Sequence, residues 1–140
     1  MARDWPETRW NRFARDGESE VFRGNTLLHT DIAPSNVIIG EGRAWAVDWA
    51  WPTRGAAFID PACLVVQLVA AGHSVARAEA WAAECQGWAT ADSAAIDAFA
   101  LAALRMYQWR ADRSPEAIRV GDMAQAARQW AVHRNVAPTD

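Results

Sequence analysis

Between residues 26 and 49 the apolar residues fall in short, strand-like runs, whereas elsewhere they recur at helical spacing. The first run, Thr26-Leu27-Leu28, is three residues long. Val37-Ile38-Ile39 is β-branched, Gly40-Glu41-Gly42 is a turn, and residues 44–49 alternate between apolar and polar or small side chains. β-Branched and alternating runs on either side of a glycine turn are typical of paired strands. The pattern therefore predicts a β-hairpin over about residues 37–49.

Helical spacing dominates the remainder of the chain. Residues 4–17 predict a first helix, which Asp4 and Glu7 would open as a capping box, and residues 18–25 predict a polar connection. Four further helices are expected, over about residues 60–72, 74–86, 92–110 and 114–134. We therefore expect an α+β, predominantly α-helical fold: a short β-hairpin and a helical bundle in a single domain over residues 1–140.

Composition excludes several classes of function. The 140 residues contain no run of about 18 uncharged apolar side chains, and the N-terminus has no apolar signal-peptide core, so we expect no membrane span and a cytoplasmic protein. Cys63 and Cys85 are too few for a disulfide scaffold or a zinc site. A net charge of −3 gives no electrostatic reason to expect a nucleic-acid partner.

The basic residues are unusual in kind. All 14 are arginines, and the chain contains no lysine. Mechanisms that need a lysine ammonium, such as a Walker A loop or a Schiff base, are therefore excluded for these residues.

Three polar side chains near the hairpin suggest a chemistry. Asp31 and Asn36 lie in a loop after the first apolar run, and Asp48 lies at the end of the hairpin, so all three could converge. Phosphoryl transfer needs an aspartate that takes a hydroxyl proton, beside oxygen ligands for a divalent cation. Magnesium commonly binds one or two protein carboxylates and fills its other positions with water and phosphate. Asp48 and Asn36 could supply the protein ligands of such a magnesium site.

The same stretch resembles a known family. His29-x-Asp31-x-x-x-x-Asn36 is similar to the catalytic loop of the aminoglycoside phosphotransferase and choline kinase-like families, relatives of the protein kinases. Val47-Asp48-Trp49 is similar to their counterpart of the kinase Asp-Phe-Gly motif, and Asp60 matches an aspartate at the start of the following helix. The resemblance covers about residues 26–70 with motifs, and it implies a kinase-like C-terminal lobe.

The resemblance implies a role for each matching residue. Asp31 would be the catalytic base, while Asn36 and Asp48 would hold Mg²⁺ on the phosphates of ATP, the phosphate donor. His29 would support the catalytic loop through its ring. Asp60 would support it by accepting backbone hydrogen bonds, with simple capping of the next helix as the alternative.

The chain also departs from the family's pattern. Thr30 stands where these families usually have glycine, and Ala33 where many have histidine. Kinase-like enzymes cover the phosphates with a glycine-rich loop and pair them with a lysine, and neither is found here. Only 28 residues precede His29. We therefore expect the N-terminal nucleotide lobe to be absent, ATP binding to be weak, and the isolated chain to be inactive.

The expected acceptor is a small molecule with a hydroxyl group, such as an aminoalcohol or an aminoglycoside-like compound. Trp49 and Trp51 flank the metal position and are candidates for a substrate-binding wall. Acidic residues of the helices form either solvated faces or part of a pocket for a cationic acceptor. They are Glu79, Glu84, Asp92, Asp97 and Asp112.

Two alternatives to a phosphotransferase stay open. The chain could be a binding module that holds a small molecule without modifying it, or a remnant lobe without activity. The presence of Asp31, Asn36 and Asp48 favours an enzyme, and the absence of lysine favours the alternatives for the chain in isolation. The compatible protein partners are a second copy of the chain, giving a homodimer, or a separate nucleotide lobe that would cover apolar surface near Trp5, Trp45 and Trp51.

Overall fold

The computed structural model describes residues 5–139. These residues form short 3₁₀ helices, two antiparallel two-stranded sheets and five α-helices. The strands are β1 (Thr26–Leu28), β2 (Val37–Gly40), β3 (Arg43–Ala46) and β4 (Thr53–Gly55). The α-helices are α1 (Ile59–Ala70), α2 (Val75–Ala82), α3 (Gln86–Ala89), α4 (Ser93–Arg113) and α5 (Ile118–His133). The expected α+β, mainly helical class is confirmed.

The predicted hairpin is present and is shorter than expected. β2 pairs with β3 from Val37 opposite Ala46 to Gly40 opposite Arg43. β3 ends at Ala46, although the Val47 N–H still donates to the Asn36 carbonyl at 2.9 Å. The Trp49 indole Nε1 donates to the Ala46 carbonyl at 2.9 Å and so folds back on the end of the strand. Residues 47–49, expected to continue the strand, therefore form a separate loop.

A second ladder, which the sequence did not predict, encloses the hairpin. β1 pairs with β4, with Thr26 opposite Gly55 and Leu28 opposite Thr53. Gly55 allows this close packing, because a Cβ atom there would lie 2.8 Å from Leu28 Cδ1. β4 has no apolar run of its own, so nothing in its local sequence distinguishes it from a loop.

The predicted N-terminal helix is wrong over the described residues. The structure has only a short 3₁₀ helix at Asn11–Phe13, and a second at Glu18–Phe22 replaces part of the expected polar connection. The backbone of residues 5–7 instead pairs with Arg54: its N–H donates to Trp5 O at 2.9 Å, and its carbonyl accepts from Glu7 N at 2.7 Å. Asp4, the expected cap, lies outside the described residues.

Glu7 has a different role from the capping residue that was expected. One carboxylate oxygen accepts the backbone N–H of Arg9 at 2.7 Å, and the other accepts the Thr53 hydroxyl at 2.6 Å. The side chain is buried, so it needs these partners. Glu7 thus ties the N-terminal segment to β4.

The two later helices whose first turn is capped by a side chain, α2 and α4, begin close to the residues expected from the sequence. The Ser74 hydroxyl accepts the Arg77 N–H at the start of α2, and Asp92 accepts the Ala94 N–H at the start of α4. The expected helix over residues 74–86 ends early, at Ala82, and the short α3 begins at Gln86, where that helix was expected to end. Gly87 in α3 lies against Ala57, whose carbonyl oxygen would be 2.5 Å from an added Cβ. α5 begins at Ile118, a turn later than predicted.

The buried side chains form one cluster, in which aromatic rings link the N-terminal segment to the helices. Phe99 of α4 is central: its ring lies 4.8 Å from that of Trp10, 5.5 Å from Phe22 and 5.9 Å from Phe58. Trp130 of α5 is fully buried beside it. The core therefore holds α4 against α5 and against the N-terminal 3₁₀ helices. Among residues 5–139, no helix has the length and apolar character needed to cross a membrane.

Candidate functional site

Apart from Asp60, the predicted site residues lie on two loops between the two β-ladders. Residues 29–36 connect β1 to β2, and residues 47–52 connect β3 to β4. Because β1 pairs with β4 and β2 pairs with β3, both loops cross the same gap. The sheet topology thus places the two motif segments side by side.

Asp60, in the first turn of α1, holds the start of the first loop. Its Oδ2 accepts the backbone N–H of His29 and its Oδ1 accepts that of Thr30, both at 2.8 Å. The residue at the N-cap position of α1 is Phe58, and the Asp60 carboxylate bonds to the loop. Both oxygens are therefore used to fix two consecutive loop amides.

The His29 ring connects the two loops. Its Nε2 lies 2.7 Å from the carbonyl oxygen of Val47, which can only accept, so Nε2 carries the hydrogen. Nδ1 of the neutral ring then accepts the Asp31 N–H, at 3.3 Å. The ring also contacts Trp49 edge-on, with centroids 4.7 Å apart. With both nitrogens and one edge engaged, His29 orients Asp31 and Val47 instead of being free for proton transfer.

Asp31 and Asn36 are in direct contact. The Asn36 amide nitrogen donates to Asp31 Oδ2 at 2.9 Å and to the Asp31 carbonyl at 3.0 Å. An amide group has two N–H donors, so these bonds use both and leave Asn36 Oδ1 as the remaining acceptor. Asn36 is buried and Asp31 is exposed. The amide thus fixes a carboxylate that solvent or a ligand can reach.

Asp48 follows Val47, whose backbone N–H and carbonyl are both hydrogen-bonded to the first loop. The Val47 N–H donates to Asn36 O at 2.9 Å, and the Val47 carbonyl accepts from His29. Asp48 itself has φ 60°, a left-handed conformation, and its side chain is exposed. The backbone bonds place Asp48 directly after the residue that joins the Asn36 and His29 segments.

Thr30 is the second strained residue of the site. Its φ is 61°, a conformation that glycine adopts freely and that is rare for a β-branched residue. Its side chain is 7% exposed, and its hydroxyl is buried without a hydrogen-bond partner in the described part of the chain. The families that the sequence resembles usually have glycine at this position, and glycine would adopt this backbone conformation without strain. Strained residues such as Thr30 and Asp48 concentrate at functional sites.

The oxygen donors fit a magnesium ion better than a metal that binds protein ligands alone. Asn36 Oδ1 and the Asp48 carboxylate are the available donors, and magnesium accepts few protein ligands when phosphates supply the others. Within residues 5–139, no three His, Cys, Asp or Glu side chains cluster in a way that could hold a metal. Any ion here would therefore depend on a ligand's phosphate oxygens.

The two tryptophans proposed as a substrate wall are both accessible. Trp49 is 45% exposed and packs its other side on His29, while Trp51 is 75% exposed. Trp49 is thus part of the site's framework. Trp51 lies in the same loop with most of its surface in solvent.

Most of the acidic helix residues are engaged within the protein. Glu79 and Asp97 both bind Arg134, at 2.6 Å and 2.5 Å, and Glu79 also accepts the Trp130 indole N–H. Burial by itself would lower the pKa of Arg134, but the hydrogen bonds that Arg134 donates to these two carboxylates raise it above its usual value. Asp92 caps α4. Glu79 and Asp97 thus stabilise the bundle, whereas Glu84, Asp92 and Asp112 are exposed.

A small cavity beside Asp31 contains residues that the sequence did not single out. Its volume is about 50 Å³, and its lining includes Arg9, Cys63, Tyr107 and Arg110. They come from the N-terminal segment, α1 and α4, so no local motif joins them. The one available signal is spacing: Tyr107 and Arg110 lie three residues apart in α4 and therefore share a face. A larger cavity, of about 580 Å³ next to Gly24, includes none of the predicted site residues.

Comparison with protein-family models, with curated proteins and with solved structures found no match to this chain.

Proposed function

We propose that this chain is the catalytic part of a kinase-like, ATP-dependent phosphotransferase that acts on a hydroxyl group of a small molecule. The observation that carries the proposal is the bonded set of loop residues: Asn36 holds the Asp31 carboxylate, and Asp60 and His29 hold the loop. A fixed, solvent-accessible aspartate is what a hydroxyl acceptor requires. On this proposal the domain corresponds to a kinase-like C-terminal lobe.

In the proposed reaction the acceptor hydroxyl donates its proton to Asp31. The hydroxyl oxygen attacks the γ-phosphorus of ATP, and the bond between that phosphorus and the bridging oxygen breaks, so that ADP leaves. Asn36 keeps the Asp31 carboxylate oriented toward the acceptor throughout. General-base catalysis of this kind contributes roughly 10²–10⁴ in rate.

Asn36 Oδ1 and Asp48 would hold Mg²⁺. When bound, that ion would offset the negative charge of the phosphates. Asp48 suits this role because its side chain is exposed and its backbone is fixed through Val47 to both neighbouring segments.

A second candidate is a binding module that retains the acceptor site without catalysis. The favouring observation is that the chain contains no lysine, the residue that pairs with ATP phosphates in kinase-like enzymes. Phosphoryl transfer depends mostly on positioning and charge stabilisation. We therefore expect turnover by these residues alone to be slow, and to rise when a kinase-like nucleotide lobe is added.

The test combines metal binding with phosphate transfer. Electron paramagnetic resonance of Mn²⁺ with ATP should show weak binding to the chain, lost in Asp48→Asn and kept in Asp16→Asn, an exposed control. Transfer of labelled γ-phosphate to a panel of alcohols, with and without an added nucleotide lobe, should fall about 100-fold or more in Asp31→Asn. Transfer that persists in Asp31→Asn, or Mn²⁺–ATP binding indifferent to Asp48→Asn, would refute the proposal.

A further inference from the structure

The cavity beside Asp31 is polar and is lined by two arginines. Arg9 and Arg110 both belong to its lining, and Asp31 is the one carboxylate there. The carboxylates of Asp60 and Glu7 also lie close enough to act on Cys63 in the cavity wall, but their oxygens already accept hydrogen bonds from within the protein. A volume of about 50 Å³ accommodates a few heavy atoms, since a water needs roughly 10–15 Å³ on such a measure.

Neither arginine is neutralised by a protein carboxylate. Within residues 5–139 the ion pairs to carboxylates involve Arg15, Arg23, His133 and Arg134, and not Arg9 or Arg110. Arg9 donates a long hydrogen bond of 3.4 Å to the Thr30 carbonyl, and Arg110 lies over the Tyr107 ring at 5.9 Å. Both guanidinium groups therefore retain donors for a ligand.

The other polar groups of the lining are uncharged. Burial raises the pKa of the Cys63 thiol, and the nearby Asp60 carboxylate raises it further, so the thiol stays protonated near neutral pH. Burial likewise raises the pKa of the Tyr107 phenol. Thr30 also belongs to the lining; its hydroxyl is buried without a partner in the described chain and would have to rotate toward the cavity to donate to an anionic oxygen.

We propose that the acceptor is a small anionic alcohol, whose carboxylate or phosphate binds Arg9 and Arg110 while its hydroxyl meets Asp31. This inference rests on the proposed phosphotransferase function, and it replaces the cationic acceptor that the acidic residues suggested from sequence. Arginine suits the role because its planar fork binds carboxylate and phosphate through paired hydrogen bonds. The small volume fits the anionic group of the acceptor, while the carbons that carry the hydroxyl would lie beside the exposed Asp31.

Binding is measured without ATP, so that the result does not depend on catalysis. Isothermal titration calorimetry with glycerate, glycerol 3-phosphate, glycerol and ethanolamine compares a carboxylate, a phosphate, a neutral and a cationic alcohol. We expect one or both anions to bind, with glycerol and ethanolamine at least about tenfold weaker. The stronger of the two anions identifies the group that the arginines bind.

The variants test the two arginines. Arg110→Gln should weaken anion binding about tenfold, the loss expected for one charge-assisted hydrogen bond. Arg9→Gln should do the same. Arg128→Gln, an exposed arginine of α5 outside the cavity lining, is the matched control and should leave the affinity unchanged. Thermal melts confirm that each variant folds.

The outcomes separate this inference from the proposed function. Stronger binding of ethanolamine than of either anion, no anion binding at millimolar concentration, or affinity unchanged in both cavity variants would overturn the anion site. If the anions bind as expected but accept no phosphate from Mg-ATP even with a nucleotide lobe present, the phosphotransferase fails and the anion site stands. Transfer to ethanolamine but not to glycerate or glycerol 3-phosphate would support the phosphotransferase and would refute the anionic acceptor.

Discussion

Thr30 combines two unfavourable features in one residue. It holds φ 61°, and its hydroxyl is buried without a partner in residues 5–139. A left-handed conformation costs an L-residue roughly 1–2 kcal/mol, and an unsatisfied buried hydroxyl costs about 1–3 kcal/mol. The surrounding bonds from Asp60 and Arg9 hold the residue in this state. The strain is consistent with a role for Thr30 in ligand binding.

Replacing Thr30 by glycine should therefore stabilise the fold. Glycine removes the strain and the buried hydroxyl, but it loses about 0.5–1 kcal/mol more backbone entropy on folding. We expect Thr30→Gly to raise the free energy of unfolding by about 1 kcal/mol in urea denaturation. Thr26→Gly, in the extended β1, should lower it by a similar amount. A loss of stability in Thr30→Gly equal to that in Thr26→Gly would show that Thr30 is not strained.

Sequence spacing predicted that Asp31 and Asn36 lie in one loop, but it did not predict which residues line the cavity beside Asp31. Asp31 and Asn36 are five residues apart, so a motif places them in one loop, and the structure brings them into contact. Asp60 could be linked to that loop only through the resemblance. Arg9 and Arg110 are about a hundred residues apart in sequence, and their proximity depends on how the N-terminal segment packs on α4. Long-range packing of this kind leaves no local pattern.

Local sequence propensity predicted the β2–β3 hairpin and two helix starts, but it did not predict the β1–β4 ladder or the conformation of the N-terminal segment. The hairpin was predicted because its β-branched run and turn are contiguous, and Ser74 and Asp92 marked two helix starts correctly. The β1–β4 ladder joins segments 25 residues or more apart, and β4 is short and polar. Pairing of residues 5–7 with β4 then prevailed over the helical pattern around Trp10, whose side chain reaches the core without an α-helix.

Asp60 of α1 holds the loop that carries Asp31, and removing its carboxylate should affect that loop in particular. Asp60→Ala leaves the His29 and Thr30 amides without their acceptor, and each lost bond to a charged group costs roughly 1.5–3 kcal/mol. We expect stability to fall by about 3 kcal/mol and exchange of these two amides to accelerate in hydrogen–deuterium exchange.

Asp92→Ala is the matched comparison for Asp60→Ala. It removes a single capping bond at the start of α4 and should cost only about 1 kcal/mol, without changing exchange at residues 29 and 30. Equal losses in the two variants, or unchanged exchange at His29 and Thr30 in Asp60→Ala, would contradict the support role assigned to Asp60.

For the whole molecule, large apolar side chains are exposed on and near the hairpin. Ile39 is 83% exposed, Ile38 and Trp5 are both 54% exposed, and Trp45 is 47% exposed. β2 and β3 pair only with each other, so both outer edges of this sheet lack a neighbouring strand in the described chain. Two-stranded sheets are marginal alone, and unpaired edges with apolar side chains are templates for association.

The hairpin is therefore the part of the molecule expected to mediate association, with a second copy of the chain or with a separate lobe. For the isolated chain we expect sedimentation velocity to show a mean mass that rises with concentration. A double variant, Ile39→Thr with Trp45→Thr, should reduce this rise because threonine keeps strand propensity while removing most of the exposed apolar surface. Ile118→Thr is the matched control, since Ile118 is 80% exposed and belongs to α5, outside both sheets, and its loss should not change the association. A wild-type chain that sediments as a monomer at every concentration, or an equal effect of Ile118→Thr, would show that the hairpin is not the associating surface.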